Sequence, residues 1–295
     1  KGLYESGADI IDIGLGPSPM LYFAANHLDS DGAIMVTGSH NPPQHNGFKI
    51  MKGKVPFFGN DILDIGERGI KGEWDYSDGS KLDYFIDDKY INILLESLKL
   101  NKFNKALKVA WDPGNGAAGA IIKKLVKLLP GEHTLINSEI DGLFPSHHPD
   151  PTDPENLKEI ISLVRKQELD VGLAFDGDGD RLGVVSSTGR IVWGDQLLAF
   201  LSKEVLRNMP NSSIIADVKA SQNLFNQIEK YGGVPVMWKT GHSFIKSKMK
   251  EISSPLAGEM SGHIFFADRY LGYDDGIYAA LRVLELIEDR YKLDN

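Results

Sequence analysis

Residues 171–186 read Val-Gly-Leu-Ala-Phe-Asp-Gly-Asp-Gly-Asp-Arg-Leu-Gly-Val-Val-Ser, an acidic, glycine-spaced loop held between two apolar runs. Val171 to Phe175 and Leu182 to Ser186 read as strands, and α/β sheets carry their chemistry just beyond strand ends. Alternate residues Asp176, Asp178 and Asp180 offer carboxylates on one side, while Gly177 and Gly179 let the backbone curl so that these oxygens converge on one hard cation, with magnesium expected. Carboxylates this close repel one another unless a cation or basic groups compensate, which argues against a merely solvated turn. An EF-hand is excluded, because Arg181 stands where that loop needs Gly and Ser187 where it needs Glu. Three carboxylates also underfill an octahedral ion, so a further anionic oxygen must come from elsewhere in the chain.

Working outward, the same grammar recurs. On the N-terminal side, strand Lys108 to Trp111 turns at Pro113-Gly114-Asn115-Gly116 into a helix over 117–128. That turn could cradle a phosphate, but it lacks a Walker lysine and reads as a tight strand-to-helix connection. Asp153 and Pro154 open a helix whose stripe is Leu157, Ile160, Ile161 and Val164. Upstream, strands Ile10 to Gly14 and Ala33 to Val36 flank a helix over 19–28, and a Gly- and charge-rich stretch over 66–80 precedes a helix over 86–98. Downstream come strand Ser213 to Asp217, a helix over 221–231 and strand Val234 to Trp238, with a last helix built on Ala279, Leu281, Val283, Leu284 and Ile287. The reading is an α/β protein of consecutive α/β units, divided as 1–86, 87–189 and 190–295. His147-His148 lacks metal-ligand spacing and reads as loop packing.

At 295 residues the chain exceeds one ordinary core, in keeping with that division. With 41 acidic against 32 basic side chains, the net charge of -9 argues against a nucleic-acid partner and leaves only local basic clusters to attract an anionic substrate. No apolar run is long enough to span a bilayer, so no membrane association is expected. The absence of cysteine excludes disulfides and thiol nucleophiles and fits a cytoplasmic protein.

The candidate for the missing oxygen is Ser39 in Thr37-Gly38-Ser39-His40-Asn41-Pro42-Pro43, which follows a strand and runs on to Asn46-Gly47-Phe48-Lys49. Adjacent in sequence, His40 is expected to point away from Ser39, and there is no G-x-S-x-G elbow, so a hydrolase triad is poorly supported. A phosphorylated Ser39 would supply about two negative charges and three acceptor oxygens to the ion.

Together with Gly258-Glu259-Met260-Ser261-Gly262-His263, these loops stand in the order found in the α-D-phosphohexomutases, and the chain resembles that family over nearly its whole length. The Glu-Met-Ser-Gly-His version is most similar to the bacterial phosphomannomutase/phosphoglucomutase branch. The resemblance implies consecutive phosphohexomutase-type α/β domains with mixed sheets, the N-terminus and a fourth domain missing. It implies a phosphohexose mutase, active on mannose or glucose phosphates, with Ser39 carrying the phosphate and completing a Mg2+ site with Asp176, Asp178 and Asp180. A bound hexose 1,6-bisphosphate would be the intermediate. Lys49 and His263 match groups proposed to act on protons or charge at the reacting hydroxyl. Glu259 and Ser261 match residues that bind the sugar hydroxyls, and Arg181, Lys219, Thr240, Gly241 and His242 match positions that contact the phosphorylated hexose. Without the fourth domain's distal phosphate clamp, the chain as written is expected to be impaired. Alternatives are a phosphoglucosamine mutase, a metal-dependent phosphatase or a non-catalytic sugar-phosphate-binding module.

Overall fold

The structure, a computed structural model, describes residues 1–98, 106–288 and 293. The second and third units share one plan. In the second, β6 (Lys108–Asp112), β7 (Glu132–Leu135), β8 (Val171–Phe175), β9 (Leu182–Ser186) and β10 (Ile191–Val192) form a sheet in the order β10-β9-β8-β6-β7. β6 pairs parallel to β7 and β8, whereas β9 runs antiparallel to β8 and to β10. Every residue of β8 and β9 is buried, which explains why the sequence shows unbroken apolar runs instead of alternation. In the third unit, β11 (Ser213–Asp217), β12 (Val234–Trp238), β13 (Leu256–Gly258) and β14 (Ile264–Phe266) follow the order β12-β11-β13-β14, parallel except for the last pair. Both sheets are therefore mixed, with an antiparallel strand added next to the chemistry-bearing loop. The division expected after residue 189 falls inside the β9–β10 hairpin, whose second strand belongs to the second unit's sheet.

The first unit is built differently. β1 (Ile10–Asp12) pairs parallel to β5 (Lys81–Asp83), and a separate antiparallel sheet holds β2 (Gly32–Val36), β3 (Phe48–Lys52) and β4 (Val55–Phe57). Between them α2 (Ser18–His27) buries its first eight residues, with Pro19 near its start, where a missing N–H costs nothing. The Gly- and charge-rich stretch over 66–80 begins inside a helix, α3 (Asn60–Lys71), which ends on Gly72 in the left-handed region. No residue of α3 is buried, so the helix follows its own amphipathic pattern without a packed face to declare it.

One apolar core runs through all three units. At its centre Trp111 of β6 stacks on Phe175 of β8 with centroids 6.1 Å apart, so the strand that ends at Asp176 is pinned by a buried aromatic pair. α10 (Gly276–Glu288) is buried along Ile277 to Leu284. It also carries Arg282, which is 1% exposed, pairs with Glu204 at 2.6 Å and Asp268 at 2.8 Å, and lies 4.2 Å from the Phe266 ring centroid. Among the described residues, no helix is long and apolar enough to cross a membrane.

Candidate active site

The acidic loop leaves β8 and places Asp176, Asp178 and Asp180 in the interior, at most 3% exposed. Each offers an oxygen within 4.8 Å of the others. Three elements converge on them. From the β2–β3 connection, Ser39 donates its Oγ proton to Asp176 Oδ2 at 2.8 Å, and Thr37 Oγ1 donates to Asp178 Oδ2 at 3.1 Å. From β3, Lys49 Nζ donates to Asp178 Oδ2 at 2.6 Å and also to Asp180. From the start of α2, Ser18 donates its hydroxyl to Asp178 Oδ2 at 2.7 Å and its backbone N–H to Asp178 O at 2.8 Å. The positive end of α2 therefore faces the loop that carries the charge.

Ser39 reaches this position because the chain folds unusually tightly around it. Its own φ is +50°, its N–H donates to Thr37 Oγ1 at 2.8 Å, and its carbonyl lies against Gly177. A Cβ on Gly177 would sit 2.2 Å from Ser39 O, so only glycine lets the serine loop lie on the aspartate loop. The left-handed Ser39 also overturns the expected orientation of His40: its Nδ1 is 3.1 Å from Ser39 Oγ. Burial, then the nearby Arg181, push the His40 imidazole below its usual range. In regular extended backbone the two side chains would diverge, and it is the positive φ that brings them together.

The electrostatics of the cluster split the carboxylates. Burial, then the charges of Asp178 and Asp180, raise Asp176 well above the carboxylate range. Burial would also raise Asp178, but Lys49 overcomes it and, with the Ser18 hydroxyl, holds that carboxyl low. Burial disfavours the Lys49 ammonium too, and here Asp178 and Asp180 prevail and keep it charged. One lysine and Arg181, 3.9 Å from Asp176, face three carboxylates. Buried Asp178 Oδ1 and Asp180 Oδ1 have no hydrogen-bond partner among the described residues. Buried, unpartnered carboxylate oxygens on one hard-oxygen cluster fit a divalent cation.

The third unit closes the other side. Arg181 and His263 form a backbone bridge, and Leu182 N donates to Gly262 O at 3.0 Å. Gly262 has φ +89°, and a Cβ there would lie 2.8 Å from Leu182 O. The tight turn from Glu259 to His263, closed by Glu259 N to His263 O at 2.9 Å, is thus stitched to the metal loop. Arg181 Nε donates to His263 Nε2 at 3.0 Å, and His242 stacks on His263 with centroids 5.7 Å apart. Glu259, 3% exposed, accepts the Gly241 N–H, and burial raises its carboxyl above its ordinary range. Thr240 donates to Asp217 Oδ2 at 3.0 Å, and the Met260 N–H donates to the same carboxylate.

Ser39, Lys49, the three aspartates, Arg181, His263 and His242 are thus brought into one contiguous set, with Glu259, Thr240 and Gly241 at its edge. Ser261 is half-buried on the tight turn, and Lys219 is exposed on the turn after β11. Sequence reasoning missed Ser18, Asp217, Lys246 and Asp274. Asp217 carried a usable signal, an acid at the end of an apolar strand, whereas the others declare themselves only through tertiary contacts. The Pro113–Gly116 turn is a tight connection as expected, and Ala117 N donates to Gly177 O at 2.8 Å, buttressing the metal loop. His147 packs in its loop with Nε2 3.0 Å from Asp112 Oδ2.

Three family models match in succession: "Phosphoglucomutase/phosphomannomutase, alpha/beta/alpha domain I" over 1–68, domain II over 88–189 and domain III over 193–294. The chain is 46% identical over 287 residues to a phosphomannomutase/phosphoglucomutase of Pseudomonas aeruginosa, covering 97% of this chain and 61% of that protein. It is 42% identical over 289 residues to a phosphoglucomutase of Neisseria meningitidis serogroup A, covering 97% and 62%. A crystal structure of a phosphoglucomutase/phosphomannomutase family protein from Burkholderia thailandensis superposes with a TM-score of 0.93 at 41% identity, covering 99% of this chain and 65% of that one. The chain thus spans about 61% of the length of curated relatives that it matches. With the serine, aspartate and glutamate loops converging as described, and all three domain models matched in order, the chain belongs to the phosphoglucomutase/phosphomannomutase family, the α-D-phosphohexomutases.

Proposed function

We propose that this site serves a phosphohexose mutase, interconverting 1- and 6-phosphates of mannose or glucose through a phosphoserine at Ser39. The observation that carries the reading is the Ser39 hydroxyl 2.8 Å from Asp176 inside the buried carboxylate cluster. A lone serine turn has no need of such a partner. Asp176, Asp178 and Asp180 would hold Mg2+, with the phosphoserine completing the set. When bound, the cation supplies neutralisation of charge on the phosphoryl oxygens in flight.

The remaining roles follow from position. Lys49, inside the cluster, compensates carboxylate charge and stands where an incoming phosphate would meet its first cation. His263 presents an imidazole beside Arg181 to carry a proton to or from the reacting hydroxyl. Glu259 and Ser261 would pair with sugar hydroxyls as acceptor and donor, and Arg181, Lys219 and the Thr240 to His242 turn would bind the phosphosugar. Transfer from Ser39 to a hexose 1-phosphate gives the 1,6-bisphosphate, and after reorientation the other phosphate returns to Ser39. We read the units as 1–86, 87–189 and 190–295, with β10 of the third completing the second unit's sheet.

Intact-mass spectrometry tests this. Exposure to a hexose 1,6-bisphosphate with Mg2+ should add about 80 Da, the mass of one phosphoryl group, at Ser39, and excess hexose 1-phosphate should remove it. A Ser39 that gains no mass in the first treatment, or keeps it through the second, would sink the proposal, while free phosphate released in excess of isomerised sugar would favour a phosphatase. Parallel rates on mannose, glucose and glucosamine 1-phosphates would name the sugar.

A further inference from the structure

Asp274 is fully buried on the segment before α10, outside the acidic loop. Its backbone is clamped from both sides. Asp274 forms a bridge with Phe265, and the next residue, Asp275, caps α10 by accepting the Tyr278 N–H at 2.9 Å. Asp275 also accepts hydroxyls from Tyr90 and Tyr270, each at 2.8 Å. A carboxylate held this firmly has a fixed direction.

Its two oxygens have different neighbours. Asp274 Oδ1 accepts from Lys246 Nζ at 2.7 Å, which balances its charge. Oδ2 faces two imidazoles, with His263 Nδ1 at 3.2 Å and His242 Nδ1 at 3.4 Å. Lys246 Nζ also stands 3.2 Å from His242 Nδ1, and since an ammonium only donates, that nitrogen spends its lone pair on the lysine. His263 Nδ1 is then the remaining donor for Oδ2. Both atoms are buried and neither has a hydrogen-bond partner of regular geometry among the described residues, so each has the other's close approach to satisfy it. Two lone pairs facing each other at this distance inside a core would be repulsive and doubly unsatisfied, so a proton lies between them. The opposite ring nitrogen agrees, because Nε2 takes the Arg181 Nε–H at 3.0 Å and must present a lone pair. Asp180 Oδ1, 3.5 Å from the same Nδ1, adds a second negative oxygen on the proton's side.

We propose that Asp274 is the positioning residue that fixes His263 as the Nδ1–H tautomer, with its Nε2 lone pair turned to the Arg181 side of the site. Lys246 neutralises the carboxylate, and the stacked His242 limits rotation of the ring. A hydrogen bond at one imidazole nitrogen decides what the other can do. Nε2 lies towards Arg181, whose Nε–H occupies its lone pair, so a bound hydroxyl must displace that donor before the lone pair can take its proton. That consequence rests on the mutase reading, whereas the tautomer does not.

Long-range 1H–15N correlation spectra of the imidazoles in the 295-residue chain test the proposal, recorded at about pH 9, where an ordinary histidine is neutral. His263 is assigned by the resonances missing from His263→Gln. In the wild type, Nδ1 should carry the pyrrole-type shift and Nε2 the pyridine-type shift. In Asp274→Asn this preference should be lost, with Nε2–H appearing. A wild-type His263 protonated at Nε2, or a variant that keeps the original tautomer, would overturn the assignment. The wild-type spectrum decides alone if Asp274→Asn does not fold. An Nδ1–H His263 in a chain that never phosphorylates Ser39 would sink the mutase reading and leave this one standing. Phosphorylation with an Nε2–H ring would do the reverse.

Discussion

Replacing Gly177 by alanine tests whether backbone contact seats the serine on the aspartates. The added Cβ would lie 2.2 Å from Ser39 O and 3.2 Å from Ser39 C, and contacts below 3.0 Å are essentially never seen. Retreat of the aspartate loop is blocked behind by the Pro113–Gly116 turn, where Ala117 N holds Gly177 O at 2.8 Å. The serine loop must therefore lift, opening the contact from 2.2 Å to at least 3.0 Å. A movement of that size stretches the Ser39–Asp176 bond of 2.8 Å and the Thr37–Asp178 bond of 3.1 Å to or past their limits. Overpacking of about 1–3 kcal/mol and partial loss of two hydrogen bonds at about 1 kcal/mol each place the expected destabilisation at about 2–4 kcal/mol. Urea unfolding measures it, with an unchanged slope showing that the unfolded state is unaltered. The initial rate of Ser39 phosphorylation by a hexose 1,6-bisphosphate should fall about 100-fold, the cost of displacing a reacting group by about 1 Å. A Gly177→Ala chain within about 0.5 kcal/mol of wild type that takes up phosphate at the wild-type rate would refute the reasoning.

Further outcomes follow from the same contacts. Ser39→Ala should lose all phosphoryl uptake while unfolding within about 2 kcal/mol of wild type, since the hydrogen bonds to Asp176 and His40 are removed at about 1 kcal/mol each; uptake at another residue would refute it. Lys49→Met leaves the buried carboxylates short of their main cation, so the metal-free variant should lose about 3 kcal/mol and regain much of it on titration with Mg2+, checked by thermal melts with and without the ion. Arg282→Met takes from buried Glu204 and Asp268 a cation held at 2.6 and 2.8 Å, with Arg269 standing 3.7 Å from each, and should cost about 3 kcal/mol in a denaturant titration. His147 is raised above its ordinary value of 6.5 by its hydrogen bond to Asp112, against burial. Its stabilising contribution is then fully present below about pH 6.5 and is lost as pH rises through the raised folded value. The stability gap between wild type and His147→Gln should narrow across that window, and a gap that widens would reverse the assignment.

What could be read in the sequence was what local chemistry dictates. The strands Val171–Phe175, Leu182–Ser186, Ser213–Asp217 and Val234–Trp238 are observed with the bounds expected, because apolar, β-branched runs are bracketed by loops of opposite character. Helix ends drifted: the helix expected over 117–128 spans only Gly119–Leu125, since the Pro113–Gly116 turn takes up its first residues. α3 hid behind two internal glycines and a charged surface face, and a helix at His242–Ile252 lay behind the Thr240–His242 positions that drew attention as a site. In the site, the acidic loop could be read because its ligands are neighbours in sequence. Ser18, Lys246 and Asp274 could not, being common residue types whose meaning comes from partners far along the chain. His40 was misjudged for a different reason: alternation of side chains assumes extended backbone, and Ser39 departs from it.

The bridge from Arg181 and Leu182 to Gly262 and His263 gives these two loops a shared ruler. Apart from Gly262, where φ +89° and the close Leu182 carbonyl admit no Cβ, side chains along it are exchangeable in principle, but its length is not. One residue inserted or removed between Glu259 and His263 would slip the pairing by a full step and turn the imidazole away from Arg181, whatever residues were used. Natural or engineered diversity at this junction should therefore appear as changes of composition at constant spacing, with loop-length variation accommodated elsewhere on the surface.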